Sequence, residues 1–160
     1  MHFSIDQSIG RPLDEVEEAL FDEKFVAATS ALPRVGDCVL VSAKRSGDVI
    51  TARLHRRFDA PLNAAVRRAI DPSKLTWTEE IQYDTSKHRG RHRIVPDNYA
   101  DRVSSEYSTA LAPSTAGTRR VTSGTMKVRA RFVGGQIEKA IVSGLEEYAA
   151  AEAKLLTDWS

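Results

Sequence analysis

Residues 133–159 read VGGQIEKAIVSGLEEYAAAEAKLLTDW, and this stretch decides the fold of the chain. After its Gly-Gly pair it contains no proline, so it predicts one helix of about 25 residues and roughly 37 Å, from residue 136 to about residue 158. One stripe of this helix combines large apolar and small residues, namely Ile137, Ala140, Ile141, Gly144, Tyr148, Ala151, Leu155 and Trp159. The charged residues away from the centre of the stripe are Glu138, Lys139, Glu146, Glu147 and Lys154.

Gly144 stands near the middle of this helix and calls for a physical reason. A glycine inside a helix costs roughly 1 kcal/mol relative to alanine. Two explanations remain open. Either another backbone approaches the helix closely at Gly144, or the helix leaves room there for something that is not protein.

Composition limits the classes to which the chain can belong. Its 160 residues predict one domain, residues 1–160, with a real core. The net charge of +1 gives no general attraction to nucleic acid or to an anionic membrane. A single cysteine, Cys38, excludes an intramolecular disulfide, and the N-terminus lacks the pattern of a signal peptide. With no apolar run of about 20 residues, we expect a cytoplasmic protein that does not insert into a membrane.

The rest of the chain shows mainly strand patterns. Apolar and polar residues alternate from Phe3 to Ile9, which predicts a first strand, and two short helices follow before Pro33. The later strand patterns cover residues 38–44, 49–58, 75–83, 94–96, 103–111 and 118–132. Residues 59–73 give an ambiguous pattern, in which 63–70 fit a short helix. Because an antiparallel sheet must cover one face, and only the C-terminal helix is long enough to do so, the sequence predicts an α+β fold.

Four segments of the chain resemble a known superfamily. They are RPLDEV at residues 11–16, DPSKLTW at 71–77, RIVPD at 93–97 and GGQIEKAI at 134–141. Together with the order of elements, they resemble the START-like (helix-grip, polyketide cyclase-like, SRPBCC) superfamily, and most closely an uncharacterised bacterial family within it. The resemblance implies a curved antiparallel sheet wrapped around the last helix, with a cavity between them. It implies no catalytic residues, because the bacterial family has none assigned. The superfamily includes carriers, cyclases, hydrolases and co-chaperones, so the fold does not settle the function.

Several polar residues fall on strand faces that otherwise look apolar. They are Gln7, Arg56, Glu79, Tyr83, Tyr107 and Thr109. A buried carboxylate or guanidinium is costly unless it is paired, so an inward Arg56 and Glu79 would pair with each other or with a ligand. Alternatively, either side chain lies near a strand end and reaches water.

Bulky residues are also predicted to converge on the space between sheet and helix. Ligand pockets are mostly apolar with a few placed polar groups, although the same residues could form an ordinary core. The candidate ligand-binding residues are Arg56, Trp77, Glu79, Tyr83, Tyr107, Met126, Ile141, Gly144 and Tyr148.

Residues 87–93, KHRGRHR, form a basic segment between two strands. It is interpreted as a solvated hairpin tip, with phosphate contact as the alternative. His88 and His92 have a spacing that would place two metal ligands on one side of a helix, but Gly90 favours a turn here. The Gly134-Gly135 pair is explained by a tight strand-to-helix turn rather than by anion binding.

The sequence therefore favours binding of a small, largely apolar ligand between sheet and helix. We expect no cofactor, no metal and no nucleic-acid partner, and the sequence identifies no protein partner. One alternative is an enzyme of cyclase or hydrolase type, with Glu79 or His92 as acid or base and Arg56 orienting an anion. The other is a ligand-free interaction module.

Overall fold

A computed structural model describes residues 1–160. The elements in chain order are β1 (His2–Ile9), α1 (Leu13–Leu20), α2 (Glu23–Ala28), β2 (Arg34–Ser46), β3 (Val49–Asp59), α3 (Ala64–Ala69), β4 (Thr76–Asp84), β5 (Arg89–Pro96), β6 (Val103–Ser114), β7 (Gly117–Val128) and α4 (Gly134–Asp158). The strands form one curved antiparallel sheet in the order β1-β7-β6-β5-β4-β3-β2. Both the predicted α+β class and the predicted helix-grip arrangement are confirmed.

The long helix α4 spans the sheet from one edge to the other. Its main contacts are with β1 and β7 at one edge and with β2 at the opposite edge. The helix continues through Gly144 without a break and ends at Asp158. Because the two edges hold α4, the middle strands lie beneath it, and the space between them positions the site described below.

The buried face of α4 differs from the predicted stripe. Ile137 and Gly144 are buried as expected, but Ala140 is exposed. The residues that complete the buried face are Glu138, Val142, Ala149, Glu152, Ala153 and Leu156. The wheel placed charged residues outward, whereas Glu138 accepts a hydrogen bond from the backbone N–H of Val128 at 2.9 Å. Burial of a carboxylate is tolerated because its lone pairs are occupied.

Two further boundaries were predicted incorrectly. The last strand was expected to reach Phe132, but β7 ends at Val128, and Phe132 is 91% exposed with a φ of 67°. The basic segment was expected to be a hairpin tip up to Arg93, yet β5 already begins at Arg89. His92 therefore belongs to a strand in the interior of the sheet, with only 11% of its side chain exposed.

The buried apolar residues form two separate clusters. The first includes Ile9, Val16, Phe25, Leu54, Ile81, Tyr83 and Leu156, and the second includes Phe3, Val66, Met126, Val128, Ile137 and Val142. Along β1, Gln7 lies between Phe3 of the second cluster and Ile9 of the first. On α4, Tyr148 and Glu152 likewise lie between the residues of the second cluster and those of the first. Buried polar residues therefore separate the two apolar clusters.

Gly144 does not touch a neighbouring backbone. A Cβ atom at this position would lie 3.4 Å from Cγ of Arg34 and 3.5 Å from a ring carbon of Phe58, both ordinary van der Waals distances. Of the two explanations offered by the sequence, close backbone packing is therefore excluded. Gly144 instead faces side chains and the internal cavity.

Candidate functional site

A cavity of about 230 Å³ lies between the sheet and α4. Its wall is mostly apolar and takes residues from all seven strands and from α1, α3 and α4. All nine candidate residues line it, namely Arg56, Trp77, Glu79, Tyr83, Tyr107, Met126, Ile141, Gly144 and Tyr148. The structure thus brings the whole predicted set together, and their role in binding stays a prediction.

Glu79 on β4 is the centre of the polar part of this wall. Its Oε2 accepts a hydrogen bond from Nε of Arg56 at 2.9 Å. Its Oε1 accepts from Nδ1 of His92 at 2.8 Å and from the hydroxyl of Tyr107. Strand register explains the convergence, because β3 and β5 flank β4 and β6 lies next to β5. Three strands therefore supply donors to one carboxylate.

The electrostatics of Glu79 follow from these contacts. Burial alone would raise the pKa of its carboxyl, but Arg56, His92 and Tyr107 outweigh burial and hold the pKa well below the ordinary value. Burial, reinforced by Glu79, raises the pKa of Tyr107. Glu79 is therefore ionised and Tyr107 protonated near neutral pH, so Tyr107 is a donor and Glu79 only an acceptor.

The network continues from the sheet to α4 through Arg56. Nη1 of Arg56 donates to the hydroxyl of Tyr148 at 3.0 Å, and this hydroxyl donates to Oε2 of Glu152 at 2.6 Å. Tyr148 and Glu152 are four residues apart, which places them on the same side of the helix. The guanidinium of Arg56 also lies 5.5 Å from the centre of the Tyr148 ring.

Glu152 connects α4 back to β7 and β1. Its Oε1 accepts from Arg120, and Nε of Arg120 donates to Oε1 of Gln7 at 2.7 Å. The amide of Gln7 in turn donates to the carbonyl of Ala149. Burial would raise the pKa of Glu152, but Arg120 and Arg56 outweigh it and lower the pKa. The positive charges of Arg56 and Arg120 are thus balanced by the negative charges of Glu79 and Glu152.

Arg120 and Glu152 are the residues that sequence reasoning missed, although Gln7 was identified as inward-facing. The sequence did indicate that Arg120 points inward. It lies on the same face of the last strand as Thr118, Thr122, Gly124 and Met126, because every second residue of a strand points the same way. Glu152 gave a weaker signal, since it lies four residues after Tyr148 on a helix whose rotation was misjudged.

His92 joins the network to Thr109. Nδ1 of His92 contacts Glu79, and its Nε2 lies 3.1 Å from Oγ1 of Thr109. The imidazole stacks on Tyr107 with ring centres 4.4 Å apart. A Cβ atom on Gly90 would come within 2.9 Å of Oγ1 of Thr109 and of Cδ2 of Tyr83 and 3.1 Å of Nε2 of His92, so a side chain here would require these neighbours to shift.

Trp77 is the exception among the polar groups. The indole Nε1 of Trp77 is buried and has no hydrogen-bond partner, and it is the sole buried side-chain nitrogen or oxygen in this condition. Trp77 lines the cavity at the start of β4, where it pairs with Arg56 on β3 and with Pro96 on β5. An unpaired buried donor is uncommon in native proteins.

The two histidines of the basic segment have separate partners. Nδ1 of His88 contacts Glu17 at 2.5 Å, and Glu17 also accepts from the hydroxyl of Tyr83 at 2.6 Å. His92 contacts Glu79, as described above. The two side chains therefore do not converge, and no three metal-ligating side chains meet anywhere in the structure.

Seven antiparallel strands that grip a C-terminal helix form the helix-grip fold of START-like proteins. Within this class, the model of a family described as "Protein of unknown function (DUF2505)" matches residues 4–159, and the chain belongs to that family. The resemblance inferred from the sequence is thereby confirmed.

Among curated proteins none matches the chain in sequence. None of the helices has the length and apolar character that crossing a membrane requires.

Solved structures of low sequence identity share the fold. TTHA0849 from Thermus thermophilus is 20% identical, with 99% of this chain and 95% of that chain covered and a TM-score of 0.70. The Zhui aromatase/cyclase from Streptomyces sp. R1128 is 15% identical, with 98% and 91% covered and a TM-score of 0.65. Ara h 8.0201 is 10% identical, with 98% and 97% covered and a TM-score of 0.60. At these identities the likeness concerns the fold alone.

Removal of the guanidinium partner of Glu79 should destabilise the protein strongly. We expect Arg56→Met to lower the free energy of unfolding by about 3–5 kcal/mol, because it leaves a buried carboxylate without a countercharge. Chemical denaturation monitored by circular dichroism measures the loss. The matched control is Arg93→Met, since Arg93 also pairs with a glutamate on β4, at 2.7 Å, but is exposed. Its loss should be much smaller, and equal losses would contradict the importance assigned to the buried pair.

The lowered pKa values predict a specific loss of stability in acid. A carboxyl whose folded pKa is depressed stabilises the protein above its unfolded pKa and ceases to do so as pH falls through the folded value. For Glu79 and Glu152, both lowered from 4.5, the unfolding free energy should fall as the pH drops below about 4.5. Each such group contributes a slope of up to about 1.4 kcal/mol per pH unit.

Denaturation curves collected between pH 7 and pH 3 test this prediction. Glu79→Gln removes one ionisation and should make the slope below pH 4.5 shallower. The control Glu80→Gln removes a partly exposed carboxyl on the same strand, whose pKa is also lowered by Arg93, and it should change the slope less because solvent screens that pair. If both variants keep the slope of the wild type, Glu79 does not contribute to acid denaturation.

Proposed function

We propose that this protein binds a small, largely apolar molecule in the cavity between the sheet and α4. The observation that carries the proposal is the cavity itself, about 230 Å³ in volume and lined mostly by apolar side chains. An engineered apolar cavity of about 150 Å³ admits benzene, so in proportion this cavity has room for roughly nine or ten heavy atoms. That is the size of a fused pair of rings. It is smaller than the roughly 300–1,000 Å³ of typical drug-sized sites.

The polar network supports binding by a rigid site. Each of its charged members has a partner within the protein, so the site needs no ligand to neutralise it. Side chains that already hold one another in place lose little freedom when a ligand arrives, which favours affinity. A ligand-free interaction module would have no need of such a cavity.

An enzyme is the second candidate, and one observation favours it. Glu79, His92 and Thr109 follow one another in the order carboxylate, imidazole and hydroxyl, which is the order of a nucleophile triad. Two features weigh against this candidate. Glu79 is ionised and fully engaged, so it is no general acid, and Arg56 already has two partners, so it is not free to orient an anion. Thr109 also lies within β6, paired with Gly90 and with Thr122, which leaves no evident oxyanion site.

Ester hydrolysis separates the two candidates. If the protein is a binding protein, the wild type and the isosteric variant Thr109→Val should hydrolyse p-nitrophenyl acetate and p-nitrophenyl butyrate at the same background rate. Release of p-nitrophenol is followed by absorbance. Faster hydrolysis by the wild type that is lost in both Thr109→Val and His92→Gln would establish the enzyme instead.

Filling the cavity from α4 tests the binding proposal directly. Gly144→Leu places a side chain on the cavity wall and removes the helical penalty of glycine, roughly 1 kcal/mol. We expect unchanged or higher thermal stability, together with weaker binding of naphthalene as measured by calorimetry. The control Ser143→Leu adds the same side chain at the neighbouring exposed position, which is not on the cavity wall, and should leave binding intact.

Two results of that experiment would count against the site. A loss of about 1–3 kcal/mol in Gly144→Leu would mean that the leucine overpacks the interface with Arg34 and Phe58. Unchanged naphthalene affinity in a stable Gly144→Leu protein would mean that the ligand binds elsewhere. Native mass spectrometry of freshly expressed protein gives independent evidence, because a co-purifying apolar molecule should appear as a mass increment.

A further inference from the structure

The two apolar clusters of the core lie beneath surfaces of opposite charge, although the net charge of the chain is only +1. Residues 13–28 contain α1 and α2, which supply Val16 and Phe25 to the first cluster. The one basic residue of this segment is Lys24, and its six acidic residues are Asp14, Glu15, Glu17, Glu18, Asp22 and Glu23. A local excess of one sign attracts partners of the opposite sign, whatever the net charge.

Three segments of the chain meet around the second cluster. They are residues 61–75, 97–103 and 127–141, and we call the surface that they form the basic end. Each segment supplies apolar residues to the cluster, namely Val66 and Ile70, Tyr99 and Val103, and Val128 and Ile137. The basic end therefore covers the part of the divided core that α1 and α2 do not.

Hydrogen bonds join these segments directly. The side-chain amide of Asn98 donates to the carbonyl of Lys74 at 3.2 Å. The backbone N–H of Arg129 donates to the carbonyl of Arg102 at 2.7 Å. Because residues 97–103 are bonded to both of the other segments, the basic end is one connected surface.

The exposed charge of the basic end is mainly positive. Its exposed basic residues are Arg67, Arg68, Lys74, Arg102, Lys127, Arg129, Arg131 and Lys139. Of its four acidic residues, Asp71, Asp97 and Asp101 are exposed and Glu138 is buried. Eight exposed cations therefore outnumber three exposed carboxylates.

Phe132 is the exposed aromatic residue of this surface. It is 91% exposed and belongs to neither apolar cluster. Its φ of 67° lies in the left-handed region, which glycine and asparagine adopt more readily than phenylalanine. The guanidinium of Arg131 lies 5.2 Å from the centre of its ring. Folding does not account for a phenylalanine at this position, whereas contact with a partner would.

We propose that the basic end docks on the surface of an anionic lipid bilayer, with Phe132 entering the headgroup region. Clusters of about four to eight Lys and Arg residues are typical of segments that bind anionic lipids. Each basic residue near such a surface strengthens binding roughly fivefold. Burial of an aromatic ring at the boundary between headgroups and acyl chains adds to this attraction.

Two observations favour lipid over another polyanion, such as nucleic acid. The first is Phe132, because phosphate contact alone uses basic residues and needs no exposed apolar ring. The second is that all three segments also line the cavity, through Val66, Asn98 and Ile137 among others. A largely apolar ligand is more soluble in a bilayer than in water, so this second observation rests on the proposed function. Docking here would place the cavity wall against a reservoir of such a ligand.

Co-sedimentation with vesicles tests the inference on the full chain. Vesicles made of equal parts of phosphatidylcholine and phosphatidylglycerol should bind the protein. Vesicles of phosphatidylcholine alone should bind it at least about tenfold more weakly, because they lack the negative charge. Binding to the anionic vesicles should weaken as salt is added, since salt screens exposed charges.

Two double variants assign the charge effect to the basic end. Arg129→Gln combined with Arg131→Gln should weaken binding roughly twenty- to thirtyfold, about fivefold for each residue. The matched control combines Lys24→Gln with Lys154→Gln, which removes two exposed charges beside residues of the first cluster. The two proteins have the same net charge, so only the location of the lost charges differs. The control should bind nearly as the wild type does.

A second pair of variants tests the apolar contact. Phe132→Asn replaces the ring by a side chain that tolerates the left-handed backbone, so the fold should be kept, as circular dichroism checks. Its binding to anionic vesicles should be about tenfold weaker, or more. The control Val41→Asn changes an apolar residue that is 57% exposed on β2, away from the basic end, and should keep the binding of the wild type.

Other results would overturn the inference. Equal binding to the two kinds of vesicle, or equal losses in the two double variants, would remove the role of the basic end. Tighter binding of a short DNA duplex than of anionic vesicles at the same salt, unchanged in Phe132→Asn, would make this surface a nucleic-acid site instead. The cavity is tested separately, because Gly144→Leu should keep vesicle binding. A protein that binds naphthalene but neither kind of vesicle would refute the docking surface and leave the proposed function standing.

Discussion

The ion pair between Arg56 and Glu79 is the interaction on which the rest of the site depends. Both side chains are almost entirely buried, and charges removed from water cost several kcal/mol each unless their partners compensate. Compensation here extends well beyond the pair. Glu79 gathers donors from three strands, and Arg56 reaches across the cavity to Tyr148 on α4. Because each member of the network holds the next, the centre of the sheet is connected to the helix by specific hydrogen bonds.

This network also accounts for a cavity in the middle of the domain. The helix is supported at both edges of the sheet, and long polar side chains occupy the level between the two apolar clusters. Replacement of buried ion pairs by apolar residues of similar volume is often neutral or stabilising, so stability alone does not explain the network. Apolar side chains at this level would let the two clusters join into one core. Charged groups that require fixed partners keep the clusters apart and the cavity wall rigid.

The alternation of the strands and the proline-free C-terminal stretch were sufficient to predict the fold, and they left an inward-facing Arg56 and Glu79 as one of two alternatives. They could not show the partners. Arg120 and Glu152 are separated by 32 residues, and Arg56 and Tyr148 by 92, so no local pattern links them. The rotation of α4 was misjudged because charged residues were assumed to point to solvent, an assumption that fails when a buried partner is available. His92 was assigned to a turn because it lies in a basic segment that contains Gly90, whereas its position is decided by strand pairing with Ile81 and Tyr107.

The fold and the site therefore rest on different parts of the sequence. Chains only 10–20% identical share this architecture, among them an aromatase/cyclase, because alternation and one amphipathic helix survive extensive substitution. Specificity depends instead on which polar groups remain free after the protein has satisfied its own. An arginine on a cavity wall usually suggests an anion site, but pairing with Glu79 removes that possibility for Arg56. The buried charges of the network neutralise one another, so the selectivity that we propose for this cavity comes from its shape and apolar wall more than from those charges.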